Sequence, residues 1–195
     1  MKGARPLTDA EVKKVAGAIS GTFETRDRAM FILGVKSGFR VSELLSILVG
    51  DMLDASGNVA ERVYVRRGSM KGQTAGRSVV LHVEARAAVG EWISELREAG
   101  QLDPEAPLFV SRKGDRQPIS RCQAWRILGA GYARAGITGK LGTHAMRKTF
   151  ASRVYELLGH DLVKTQRALG HASINSTVAY LSFAEQDIEA AILAA

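Results

Sequence analysis

Two arginines, two histidines and a tyrosine are the residues of this chain best suited to act together on a charged group, although they are widely spaced. His144 and Arg147 stand three apart in THAMRKTF, and residues at that spacing share a helix face. His171 follows a glycine in ALGHAS, as at a helix end. Tyr180 comes nine residues later. Far upstream, Arg40 sits in SGFRVSELL, among apolar residues that favour a buried, partnered guanidinium. Glu43, three residues on, is placed to orient Arg40 or a nearby histidine. Guanidinium groups that keep their charge, imidazoles and a phenol together suit work on a phosphate.

Composition narrows the partner. The 195 residues carry 27 Lys and Arg against 20 Asp and Glu, a net charge of +7. Three of the acids, Glu185, Asp187 and Glu189, fall in residues 182–195, which hold no Lys or Arg. The body is therefore more basic than the total suggests, which favours a polyanion such as nucleic acid. A single cysteine, Cys122, excludes an internal disulfide and fits a reducing cytoplasm. No apolar run approaches the roughly 18 residues of a membrane helix, and Met1–Pro6 lacks the apolar region of a signal peptide. No Cys pair or HExxH motif offers a metal site. The length is that of one domain with room for a small appendage.

The elements that must position these residues read as mostly helical. Residues 7–20 form a helix with Thr8 as cap and Glu11 completing a capping box. Residues 24–37 form a second, with Gly38 placed to end it. Arg40 opens a short helix whose Val41, Leu44, Leu45 and Leu48 face inward. The valine-rich alternation in VAERVYVRR and GRSVVLHV predicts strands, joined by the glycine-rich GSMKGQTAG. Lys71 lies in that connector and, on its own, reads as an exposed turn lysine. Residues 84–99 are amphipathic, with a stripe of Ala87, Ala88, Trp92, Ile93 and Leu96. Leu108–Val110 suggests a short buried strand. The helix at 119–134 places Trp125, Ile127 and Leu128 in the core. Thr143 caps the helix carrying His144 and Arg147, whose apolar stripe is Phe150, Val154, Leu157 and Leu158, with Tyr155 in or near the core. Residues 161–170 form another helix, with Leu162, Val163 and Leu169 inward. A short segment beginning near Asn175 carries Tyr180.

These positions resemble the signature of the tyrosine recombinases, also called phage integrases. The likeness runs through R-x-x-E at Arg40–Glu43, H-x-x-R at His144–Arg147, L-G-H at Leu169–His171, and then Tyr180. It spans roughly Leu7 to Leu181. A second L-G-H, Leu158–His160, is an internal control: nine residues after His160 stands Leu169, so His160 reads as a helix-end residue.

The resemblance implies an α+β, mostly helical fold with a small antiparallel three-stranded sheet. It implies a catalytic domain over 1–181 and a tail helix at 182–195 that packs on its own core or on a neighbouring subunit. It also implies the roles. Tyr180 is the nucleophile, Arg40 and Arg147 clamp the phosphate, His171 donates a third hydrogen bond, and Glu43 supports. His144 is the candidate base. Lys71 is the candidate acid for the leaving 5′-oxygen, in a hairpin turn one residue longer than the family's usual one. The product is a 3′-phosphotyrosine, with no metal or other cofactor. The partner is double-stranded DNA, with Arg112, Lys113, Arg116 and Lys148 as candidate contacts. A tetramer on DNA is expected, the free protein being a monomer, in a bacterial or phage-encoded setting in the cytoplasm. Most relatives carry an N-terminal DNA-clasping domain of helices, so the chain is expected to be an excised domain or a short member like the fimbrial phase-switch recombinases. Two rivals make different demands. A type IB topoisomerase would relax supercoiled DNA without a specific site. A DNA-binding regulator using 161–180 as a helix-turn-helix would bind without cleaving.

Overall fold

Thr8 starts the first helix, α1 (Asp9–Ala18), with the expected capping box: its hydroxyl accepts from the Glu11 amide at 3.2 Å, and Glu11 accepts from the Thr8 amide at 2.9 Å. Glu11 is also paired with Arg5 at 2.6 Å, and that hydrogen bond, against a smaller effect of burial, brings its carboxyl down to about 2. The computed structural model describes residues 4–65, 76–112, 116–181 and 192–193. The chain divides into two compact units, Met1–Phe150 and Ala151–Ala195.

In the first unit, α2 (Glu24–Ser37) is buried along most of its length, with Met30, Phe31 and Leu33 sealed from solvent. It packs against α4 (Val83–Glu98) and α1, while α1 packs against α5 (Arg121–Arg134). Gly38 ends α2 in the left-handed conformation, φ 65°, as its place in the sequence predicts. That turn leads into α3 (Val41–Leu45), with Arg40 as N-cap. The chain then makes a 3₁₀ turn at Gly50–Met52 and enters an antiparallel pair, β1 (Arg62–Val65) and β2 (Arg77–Val80), with Arg62 opposite Val80 and Val65 opposite Arg77. In β1 the pleat buries Val63 and Val65 and exposes Arg62 and Tyr64. The helix α6 (Thr143–Leu157) begins in this unit. The second unit holds α7 (Leu162–Leu169) packed on α8 (Ile174–Val178).

Several expectations are corrected. The sheet has two strands among the described residues, not three. Ahead of β1, Asp54 accepts from the Ser56 and Asn58 amides and folds that stretch into a tight loop, so only one bridge forms, between Leu53 and Val59. Leu108 and Phe109 are buried and Val110 partly so, but they form no strand. The isolated bridges here pair Leu48 with Pro107 and Val110 with Pro118, and proline cannot donate to a ladder. Trp125 is 57% exposed. The buried residues of α5 are Ala124, Leu128, Gly131 and Tyr132, and Trp125 lies at the margin of the stripe they form, about 100° from Ala124. On α4 the buried residues include Ala85 and Val89 but not Ala87, which stands about 200° round the helix from Ala85. Leu48 is only partly buried. In α7 the buried pair is Thr165 and Leu169, which leaves Val163 on an exposed side. Leu157, in the last turn of α6, is also exposed. Thr143 is the first helical residue of α6 rather than its cap. The tail expected at 182–195 lies outside the described residues, apart from Ile192 and Leu193, both helical. Among the described residues, no helix is long and apolar enough to cross a membrane.

Gly38 is tied to its conformation twice, by its positive φ and by space. A Cβ there would run into the ring of Phe150. Gly38→Ala is expected to lower stability by about 2–3 kcal/mol in chemical denaturation. Gly57→Ala, with φ 77° but open space around it, is expected to lose only about 1 kcal/mol. Equal losses at the two sites would contradict the role given to Phe150.

Candidate active site

The first unit gathers three arginines around one carboxylate. Glu43 is fully buried and faces inward from α3. Its Oε1 accepts from Nη1 of Arg40 at 2.7 Å. Its Oε2 accepts from the Arg40 amide at 2.8 Å and from Nη2 of Arg77 at 3.3 Å, and lies 3.9 Å from Nη1 of Arg147. Arg147 reaches this point from α6 and also donates to the carbonyl of Gly38. The turn that ends α2 thus supplies both the backbone acceptor for Arg147 and the entry to Arg40.

Burial grades the three guanidinium groups. The Arg147 side chain is 2% exposed, Arg77 13% and Arg40 29%. Arg40 therefore presents the most surface to an incoming anion, with two more cations behind it. Burial alone would push the Glu43 carboxyl up. The Arg40 amide and the charges of Arg77, Arg40 and Arg147 outweigh it, so the carboxyl stays ionised below the usual range. Burial pulls Arg77 below the ordinary guanidinium value, and the facing Glu43 works against that. One negative charge shared by three positive ones leaves a net positive cluster, which suits a phosphate.

His144 lies one turn before Arg147 on α6. Its edge is accessible, but the protein around it and the charges of Arg121, Arg147 and Lys148 hold its imidazole below the ordinary value of 6.5. It is thus largely neutral near pH 7 and able to take a proton.

The second unit brings together His171 and Tyr180. Gly170 closes α7 in the left-handed conformation, φ 62°, and turns the chain into His171. The buried imidazole of His171 has Nδ1 2.9 Å from the hydroxyl of Thr177 in α8. Its backbone exchanges hydrogen bonds with Gln166, amide to carbonyl at 3.1 Å and side-chain amide to carbonyl at 3.0 Å. The tautomer of His171 decides which of the two groups donates in this contact; where Thr177 donates to Nδ1, Nε2 carries the ring proton. Tyr180 follows α8, half-buried, its ring centroid 5.3 Å from that of His171. His160 is exposed in a left-handed turn, φ 65°, after α6 and packs edge-on against Tyr155 at 5.0 Å. It stands at a helix end, as the internal control predicts.

Lys71 and Lys113 lie outside the described residues. Arg112 is exposed. Arg116 is also exposed but pairs with Asp103. Lys148 is half-buried. Arg77 had no role in the sequence reading beyond marking the strand after Lys71. The signal was present: with period two, Arg77 shares a face with buried Val79, and a charge on the buried face of a strand demands a partner.

Comparison with known proteins places the chain. The sequence profile of the phage integrase family matches residues 5–187, and the chain belongs to that family, the tyrosine recombinases. It is 30% identical over 166 residues to the probable integrase/recombinase YoeC of Bacillus subtilis, a match covering 85% of this chain and 82% of that one. It is 32% identical over 162 residues to the tyrosine recombinase XerD of Corynebacterium glutamicum, covering 83% of this chain and 50% of XerD. Among solved structures, the XerH site-specific recombinase in a post-cleavage complex with palindromic difH substrate superposes with a TM-score of 0.72 at 26% identity, over 96% of this chain and 51% of XerH. The chain thus spans most of YoeC but about half the length of XerD and XerH.

The environment of His144 yields a measurable value. In an NMR titration of the DNA-free protein, its imidazole is expected to titrate below 6.5. Removing a neighbouring positive charge with Arg121→Gln should move the midpoint upward. A midpoint above 6.5, or one unmoved by the substitution, would contradict the electrostatic account.

Proposed function

We propose that the protein is a site-specific DNA recombinase or integrase that cleaves and rejoins DNA through a covalent tyrosine–phosphate link. The observation that carries this reading is the cluster of Arg40, Arg77 and Arg147 on the buried carboxylate of Glu43, with Arg40 and Arg147 at the positions of the family's two arginine motifs. The palindromic difH substrate bound by the XerH site-specific recombinase supports double-stranded DNA as the partner.

The chemistry follows from the residue types. A phosphodiester resists attack because negative charge accumulates on its non-bridging oxygens. Arg40 and Arg147 hold those oxygens with forked donors, and Nε2 of His171 supplies another. Preorganised donors of this kind commonly contribute the largest share of catalysis, with one donor worth roughly 3–4 kcal/mol. The Tyr180 oxygen attacks phosphorus as the bond to the 5′-oxygen breaks. A free phenol has a pKa near 10, so its proton needs an acceptor, the neutral imidazole of His144. The leaving 5′-oxygen takes a proton from Lys71. The products are a 3′-phosphotyrosine and a 5′-hydroxyl. Reversal by an incoming 5′-hydroxyl restores the phosphodiester, because the linkage conserves the bond. Exchange between two duplexes needs four such events, hence a tetramer on DNA formed from protein that is monomeric when free. Arg112, Lys113, Arg116 and Lys148 are the candidate backbone contacts, with Lys148 beside His144 the nearest to the chemistry.

The test uses a pool of nicked duplexes with randomised cores, in which cleavage releases a short fragment and traps the adduct. The wild-type protein is expected to form a denaturant-resistant protein–DNA species. Tyr180→Phe should form none, and Arg147→Ala should slow formation by about 10²–10³-fold. An undiminished adduct from Tyr180→Phe would remove Tyr180 as nucleophile. Salt-dependent binding with no adduct from the wild type would establish the regulator in its place.

A further inference from the structure

We infer that Arg77 is a positioning residue for the phosphate clamp, acting through Glu43 on Arg40 and Arg147; this rests on the recombinase reading above. The argument begins with how the carboxylate is shared. Oε1 is given to the Arg40 side chain alone, whereas Oε2 serves the Arg40 amide, Arg77 and, at longer range, Arg147. Arg77 thus donates to Glu43 alongside the side chain of Arg40, from a separate stretch of chain. It holds the second oxygen so that Arg147 stands back at 3.9 Å, its Nη1 turned to the carbonyl of Gly38.

Arg77 also braces the backbone that sets Arg40. Its guanidinium carbon lies 5.7 Å from the ring centroid of Phe39, within cation–π range. Phe39 is 1% exposed and immediately precedes Arg40. Arg77 therefore grips the clamp at two points, the carboxylate that orients Arg40 and the aromatic ring that anchors its main chain. It does so from the first residue of β2, a paired strand whose register is set opposite Val65. Without Arg77, Glu43 draws Arg147 inward and the backbone at Arg40 loses its brace, so both forks leave the geometry a phosphate requires. A displacement of about 1 Å in such a site costs about 10²-fold in rate. Lysine restores the charge but neither the planar fork nor the stacking surface, so it is a partial substitute.

The experiment measures single-turnover adduct formation on nicked DNA for the wild type, Arg77→Ala and Arg77→Lys, with thermal melting to confirm that each is folded. Each is assayed on an ordinary scissile phosphodiester and on a methylphosphonate, in which a neutral methyl replaces one non-bridging oxygen and the need for cationic clamping falls. The expected result is a loss of about 10²-fold for Arg77→Ala on the phosphodiester, a smaller loss for Arg77→Lys, and near-equality with wild type for both on the methylphosphonate. A merely structural role predicts the same deficit on both substrates, and that outcome overturns the inference. So does a wild-type rate for Arg77→Ala on the phosphodiester. If the wild-type protein forms no adduct on either DNA, the recombinase reading itself falls, and the inference with it.

Discussion

The first unit is organised by one electrostatic constraint, the carboxylate of Glu43 enclosed by three guanidinium groups. Two unit charges about 4 Å apart interact by roughly 4 kcal/mol at an effective dielectric of 20, and the pairs here lie at 2.7, 3.3 and 3.9 Å. Desolvation offsets much of that gain. The cluster therefore adds little net stability but imposes a strong demand for completeness. With the carboxylate ionised, the arginines sit close together. Without it they repel one another, with Arg147 and Arg77 largely shielded from the water that would screen them.

The fold can be understood as the scaffold that demand requires. Gly38 ends α2 in a conformation that brings the chain round to Arg40 and turns its own carbonyl toward Arg147. The short α3 then faces Glu43 inward between apolar Val41, Leu44 and Leu45. β2 contributes Arg77 from its buried face, and α6 contributes Arg147 from the turn after His144. The four charged side chains come from three separate stretches of chain, so backbone alone does not fix their relation; the ion pairs do. In the second unit, hydrogen bonds to Thr177 and Gln166 hold His171, and its ring lies beside that of Tyr180.

Much of this was legible in the sequence. Thr8 with Glu11, Gly38 and Gly170 are local signals, each tied to a cap or a left-handed turn that only certain residues satisfy, and the helix boundaries they mark agree with the structure. The grouping of Arg40, Glu43 and Arg147 was implied by the resemblance to the recombinase family, whose motifs these residues match. What was misread depended on tertiary context. Trp125 was assigned to the core, yet it lies at the margin of the α5 stripe and is exposed, and Val163 stands on the side of α7 away from Thr165 and Leu169. A third strand was expected, but Asp54 satisfies the amides of Ser56 and Asn58 locally and so competes with a ladder. Arg77 was overlooked because its partner lies thirty-four residues away in sequence, a distance no local pattern spans.

The most direct test of the central claim is a double-mutant cycle on stability between Glu43→Gln and Arg147→Met, read by chemical denaturation. Glu43→Gln alone should cost about 3 kcal/mol, and appreciably less once Arg147→Met has removed one of the cations it leaves uncompensated. The account predicts a coupling energy above about 1 kcal/mol between the two positions. Losses that add to within about 0.3–0.5 kcal/mol would contradict it, because the arginines would then not depend on the carboxylate they surround.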